Sequence, residues 1–254
     1  MLTSFSDIEL GSAFFRGVWG GTSDVIPADV AIASGHAGGY FAATFDGAKI
    51  VAASYGFLGE HNGRRTLHSH ATASTVAGAG FDLKRHQRDW ALAEGLEAIT
   101  WTFDPLVRRN CYFNFVKLGA VAVEYLENFY GEMHDELNRG DESDRFLALL
   151  TLGATTRESS LKTSAIQTLL QNRDNLPISV TGAEINLAIS GQMNFAIELP
   201  ENIEATRANL PELAKHWRVS VRDLLLPCFE QGALVTRMID KKALVVEWPE
   251  SSTP

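Results

Sequence analysis

Apolar residues recur at helical spacing from Ile8 to Trp19. A second helical stretch opens at Pro27 and runs to about His36, where Gly38-Gly39 ends it. The pattern then switches to strands. Tyr40 to Phe45 and Lys49 to Leu58 flank Asp46-Gly47, a dipeptide that supplies the positive φ angles of a tight hairpin turn. Thr66 to Ala73 forms the next strand. After it comes an amphipathic helix from Phe81 to Gly95, with Phe81, Leu83, Trp90, Ala91 and Leu92 apolar among Lys84, Arg85, Arg88 and Asp89. Strand Ala98 to Phe103, helix Val107 to Leu118 and strands Ala120 to Tyr125 and Arg145 to Leu152 follow. From Gly153 to Pro177 the composition turns polar around a short helical pattern at Leu161 to Leu170, which predicts an insert or linker. Beyond it the pattern predicts a strand from Asn194 to Leu199, helices over Ile203 to Gln231 broken at Pro211 and Ser220, and a closing hairpin of Ala233 to Met238 with Ala243 to Trp248.

Between the strand ending at Ala73 and the helix opening at Phe81 lies Thr75-Val76-Ala77-Gly78-Ala79-Gly80. Glycines there let the backbone approach an anion without a Cβ in the way, and the unpaired N–H groups of the first helical turn carry partial positive charge. The same glycine pair would also serve to pack a helix closely on a sheet. Composition narrows the field. With 45% hydrophobic and 21% charged residues in 254, the chain is of globular type, and a net charge of −9 disfavours nucleic acid and acidic membranes as partners. Cys111 and Cys228 are the only cysteines and have no metal-like spacing, so neither a disulfide framework nor a metal site is expected. With neither a leader nor a spanning segment read in the pattern, a cytoplasmic protein is expected.

The glycine turn in its strand and helix frame resembles the main motif of the GNAT acyltransferase superfamily, (Gln/Arg)-x-x-Gly-x-(Gly/Ala). Leu67-His68-Ser69-His70, Ile99 to Leu106, Arg109-Asn110, Lys117 to Val121 and Asn128 to Met133 resemble a bacterial subfamily of larger proteins within it. The likeness is close through about residue 152 and looser from Asn194 on. It implies an α/β (mixed α+β) fold, with a central mixed, mostly antiparallel sheet flanked by helices. The expected organisation is an acyltransferase domain over residues 1–152, a linker over 153–177, and a C-terminal α/β extension over 178–254 that is a candidate homodimer interface. Two departures stand out. The family's Gln/Arg position falls on Thr75, and its tyrosine acid falls on Phe115.

The resemblance implies transfer of an acetyl group from acetyl-CoA, or of another acyl group such as succinyl from succinyl-CoA, to a small amine such as an amino acid. The amine attacks directly, with no metal. Main-chain groups of Ser69, Ala71, Thr72 and Ala73 would meet the pantetheine arm, Gly78, Ala79 and Gly80 the diphosphate, with Lys84 adding charge and Asn110 fixing backbone or cofactor. Trp101, Asp104 and Arg145 are set against the acceptor, Arg145 through a carboxylate. Asp104 next to Pro105 equally suits a helix cap, and Arg145 a surface salt bridge. For the proton, His68 and His70 share one strand face and titrate near neutral pH, Glu132 is a rival base, and Tyr112 or Tyr130 could act as the acid that Phe115 cannot be. Two other readings stay open: a degenerate GNAT-shaped protein that binds acyl-CoA without turnover, and a structural dimer whose glycines only pack a helix.

Overall fold

The computed structural model describes residues 1–20, 25–131, 141–153 and 166–249. These form a mixed α+β fold that divides into two compact units, the boundary falling after Trp101 and residues 151–153 returning to the first. In the first unit, α1 (Phe5–Trp19) and α2 (Ala28–His36) precede β1 (Tyr40–Asp46), β2 (Lys49–His61) and β3 (Arg64–Ser74), followed by α3 (Ala79–Ala93) and β4 (Ala98–Phe103). Ser4 caps α1 by accepting the Asp7 amide at 3.1 Å. The β1 and β2 hairpin turns at Asp46-Gly47 as expected, with Gly47 at φ +58°. Strand order is β1-β2-β3-β4, antiparallel except for a parallel β3 and β4 pair.

One sheet face carries Phe41, Ala53, Tyr55, Ala71 and Ala73 against Ile8, Phe15, Ile26 and Ala31. Across β2 and β3 the register slips between Tyr55 and Phe57, so that Tyr55 faces Ala71 while Phe57 faces His68. Gly56 sits opposite the slip. A Cβ there would stand 2.8 Å from the His68 carbonyl oxygen, so the close backbone approach requires glycine. Beyond the slip β3 parts from β4, with which it pairs only at Thr66, Leu67 and His68.

The second unit contains α4 (Arg108–Cys111), which winds on as a π-helix over Tyr112–Lys117, then β5 (Val121–Leu126), β6 (Arg145–Thr151), β7 (Gln167–Arg173) and β8 (Leu176–Ser179). Next come α5 (Gly182–Ser190), β9 (Phe195–Glu198), α6 (Ile203–Asn209), α7 (Pro211–Glu230), β10 (Leu234–Ile239) and β11 (Ala243–Glu247). Its strand order is β6-β5-β10-β11-β9-β7-β8.

Three elements differ from the pattern reading. Gln167–Arg173 is a strand where a linker with a helical pattern was expected, because Asp174 and Asn175 adopt positive φ and close a hairpin with β8. The expected helix Val107 to Leu118 is α-helical only to Cys111. The Leu118 amide then donates five residues back, to Phe113 O at 3.0 Å, and the wider winding seats Asn114 and Phe115 in the interior. Finally, α7 runs through Ser220 without a break. Among the described residues no helix is long and apolar enough to cross a membrane.

Replacing Gly56 by alanine should push the β2 and β3 backbones apart at the slip and lower stability by about 1–3 kcal/mol, as overpacking of a tight contact does. A urea midpoint unchanged from wild type would contradict this account of the slip.

Candidate functional site

In the first unit β3 carries the candidate residues. Ser69 to Ser74 extend past the last β4 partner, His68 opposite Thr100, so this stretch has an edge with no β4 partner. It leads straight into the glycine turn. Thr75 to Gly78 are exposed, Gly78 has φ +88°, and α3 begins at Ala79 with no side-chain cap. The Phe81 and Asp82 amides donate to Gly78 O at 2.9 and 3.1 Å, so the Ala79 and Gly80 amides precede the first intrahelical bonds. Thr75 Oγ1 donates to Val51 O at 3.3 Å and Ser74 Oγ to Val76 O at 2.7 Å, which pins the turn's entry. The turn therefore offers main-chain donors, without an arginine at Thr75.

Lys84 does not add charge to that turn. It is buried on the sheet-facing side of α3, where Nζ donates to Ser69 Oγ at 2.7 Å and Gln87 Oε1 at 3.0 Å and lies 4.7 Å from the Trp101 ring centroid. Gln87 Nε2 donates to Ser54 Oγ at 3.0 Å, and Ser54 Oγ lies 2.7 Å from Thr72 Oγ1. This is a buried polar layer between α3, β2 and β3. Among the described residues no carboxylate is within 4.0 Å of Lys84 Nζ, and burial pulls its pKa down to about 7.

His68 and His70 line the other side of β3, their ring centroids 6.4 Å apart beside Phe57. His68 Nδ1 lies 3.1 Å from Thr100 Oγ1. Burial, then the charges of His70 and Lys84, lower its pKa to about 4, and desolvation shifts His70 in the same direction. His68 is thus neutral at pH 7 and a weak proton acceptor.

The remaining candidates belong to the second unit. Asp104 is buried, accepts the Leu106 amide at 2.9 Å, and receives Arg218 bidentately at 3.0 and 2.9 Å together with Arg207. Burial alone would raise its pKa, but the Arg218, Arg207 and Arg145 guanidiniums more than reverse this and hold the carboxyl well below the usual range. Asp104 does not cap the helix as expected: its bond to the Leu106 amide lies in the turn before α4, whose N-cap Val107 has no side-chain cap bond, and the rest of the carboxylate is occupied by internal arginines. Arg145 is buried too, not at the surface. It donates to Asp144 O at 2.8 Å, stands 3.9 Å from Asp104, and covers the Tyr130 ring at 5.6 Å. Tyr130 OH is 2.8 Å from Thr102 Oγ1. Tyr112 lies under Lys117 and Lys241, and Asn110 is half-buried on α4. Phe115 packs edge-on to Phe103 and Phe146, with no hydroxyl at that place. Glu132 lies outside the described residues. Among the described residues no cluster of side chains suits a metal ion.

Comparison with solved structures gives partial likenesses at low identity. An acetyltransferase of the GNAT family from Streptococcus pneumoniae matches 60% of this chain and 98% of its own at 15% identity and a TM-score of 0.48. Ribosomal-protein-S5-alanine acetyltransferase from Vibrio fischeri matches 60% of this chain and 92% of its own (14% identity, TM-score 0.47). The aminoglycoside 6'-N-acetyltransferase from Enterococcus faecium matches 57% and 89% (15% identity, TM-score 0.42). No family model and no curated protein matches the chain.

Sequence reasoning missed the inward set of Ser54, Gln87 and Lys84. The available signal was the spacing Lys84, Gln87, Ala91, which follows one helix face as well as the apolar set does.

Two outcomes follow from the charges. Lys84 loses its proton near pH 7 when folded and near 10.5 when unfolded, so the unfolded chain holds the extra proton between those values and wild-type stability rises with pH across that window. Lys84→Met should lack that rise, read as the difference in unfolding free energy between the two proteins at pH 7 and pH 10. Asp104→Asn should lower stability by about 3–5 kcal/mol, because the buried Arg218 and Arg207 would then share the single carboxylate of Asp141 in place of two. A denaturant-derived loss below about 1 kcal/mol would show that the network contributes little.

Proposed function

We propose that this protein is a CoA-dependent N-acyltransferase that moves an acetyl or succinyl group from the thioester to a small amine, such as an amino acid. The observation that supports this reading best is the continuity of two donor surfaces: the β3 edge from Ser69 to Ser74, unpartnered by β4, runs directly into the exposed turn whose Ala79 and Gly80 amides open α3. An extended amide-bearing arm ending in a diphosphate fits that sequence of donors. Main-chain groups of Ser69, Ala71, Thr72 and Ala73 would pair with the pantetheine amides, and Gly78, Ala79 and Gly80 would face the diphosphate. The thioester supplies the activated acyl group. Edge amides beside it would stabilise the oxyanion that forms when the carbonyl is attacked. A soluble homodimer is the form in which we expect it to act, with the C-terminal residues at the interface.

One observation favours a second reading, an acyl-CoA binder without turnover: Phe115 is packed among phenylalanines where the family's tyrosine would deliver a proton. A thiolate is a good enough leaving group that this loss need not stop the reaction, and release of free thiol across an amine panel separates the two readings.

Ala79→Glu tests the groove with opposing signs. A carboxylate in the first turn of α3 favours the helix dipole by about 0.3–1 kcal/mol, yet faces the diphosphate with like charge. Calorimetric titration with acetyl-, succinyl- and propionyl-CoA should show binding to wild type and roughly tenfold or greater weakening in Ala79→Glu, at unchanged or higher thermal stability. Absence of binding by all three to wild type would end the acyl-CoA reading.

A further inference from the structure

Five polar side chains under α3 close a ring. Lys84 Nζ donates to Ser69 Oγ at 2.7 Å and to Gln87 Oε1 at 3.0 Å, and Gln87 Nε2 donates to Ser54 Oγ at 3.0 Å. Ser54 Oγ lies 2.7 Å from Thr72 Oγ1, which lies 3.5 Å from Ser69 Oγ. Ser69 and Thr72 are three residues apart, and a regular strand would send them to opposite faces. They meet on the α3 face because the slip sets Gly56 of β2 against both Ser69 and His70, a bulge that adds one residue to β3. The ring therefore spans the bulge, its two β3 members standing on either side of His70 and Ala71. Lys84 also marks the parting of the strands. Continued in register, the β3 and β4 pairing would next set Ser69 opposite Trp101, and Lys84 reaches both, bonding to the serine and lying 4.7 Å from the centroid of the tryptophan ring.

A bulged strand bonded on one side only is a place where a sheet loosens. An aliphatic residue at position 84 would fill the space but leave Ser69 and Gln87 without this partner. The lysine stem is long enough to cross from α3 to the strand, and its amine donates in two directions at once. Gln87, one turn along the same helix face, fixes where that amine sits. We propose that Lys84 is a positioning residue for the acyl donor: by closing this ring it holds the β3 bulge in a single geometry, so that the main-chain groups from Ser69 to Ala73 are already aimed when an amide-bearing thioester arrives. The assignment rests on the acyl-CoA reading above. It needs no opening under α3, since the ligand meets the strand edge while Lys84 acts through Ser69 from the helix side. Without the ring, the ligand must order that stretch as it binds, and affinity drops accordingly.

The test compares the full-length wild type with Lys84→Met, which keeps the volume and loses the donor, and with Ser69→Ala, which opens the same ring by deleting one oxygen. Amide exchange is followed by peptide mass spectrometry, and binding of acetyl- and succinyl-CoA by calorimetry. In both variants the peptide covering Ser69 to Ser74 should exchange roughly tenfold faster while β1 keeps its wild-type rate, and the thioesters should bind roughly tenfold more weakly. The double variant should lose no more than either single one, as befits a residue that acts through another. Should Lys84→Met fail to fold, Ser69→Ala decides alone. Unchanged exchange over Ser69 to Ser74, or an equal rise throughout the sheet, overturns the proposal. Wild-type binding that the variants match keeps the acyl-CoA site and removes the role of Lys84. Faster local exchange in the variants, with no binding of either thioester to wild type, removes the acyl-CoA site and leaves the ring's hold on the bulge standing.

Discussion

The parting of β3 from β4 after His68 is the constraint on which the candidate site depends. Two parallel strands that remained paired would satisfy each other's amides and carbonyls and leave nothing for a ligand. Here the pairing stops after three residues, at the point where the β2 and β3 register slips and Gly56 lets the His68 carbonyl approach to within the space a Cβ would fill. The slip keeps β3 attached on its β2 side as far as Ser74, so the strand stays extended while its other edge is free of β4. A strand held on one side and open on the other is a preorganised template. The glycine turn continues that template, because α3 begins with amides that no helical carbonyl can reach.

The polar layer under α3 runs against ordinary core design, since Ser54, Ser69, Lys84 and Gln87 occupy interior positions that leucine or valine would fill at lower cost. Each polar atom in it has a partner, which removes most of the penalty for neutral groups. The lysine is different. Hydroxyl, amide and ring partners solvate an ammonium less well than water does, and burial disfavours the protonated form. Folding thus keeps the amine close to its midpoint near neutral pH.

Much of the backbone was legible from the chain. The hairpin at Asp46-Gly47, the span of β4 and the frame around the glycine turn all rest on local chemistry, namely a turn dipeptide, β-branched and aromatic runs, and glycines before a helix. The Asp174-Asn175 hairpin rests on the same kind of signal but lacks glycine, and it lies in a stretch whose polar composition resembles a linker. The site was legible only by residue type and neighbourhood. Lys84 read as a charge available to the cofactor and Gln87 carried no signal, because periodicity sorts residues by hydropathy, whereas their inward direction is set by Ser69 and Ser54 on strands 15 and 33 positions away. The same limit hid the fate of Asp104, whose partner Arg218 is 114 positions on.

The two basic side chains on either side of β3 differ in where burial leaves them. His68 and Lys84 are both depressed by burial, but from different starting values: the imidazole falls to about 4 and becomes too weak a base, while the amine falls to about 7, where acceptance and release are both accessible. Each also penalises the other's charge, since a cation at Lys84 helps to lower His68. A proton arriving at this strand is therefore better held on the α3 side than on the histidine side. The histidine that looks like the natural base in the sequence becomes a neutral neighbour, hydrogen-bonded to Thr100 at the last point where β3 and β4 still pair.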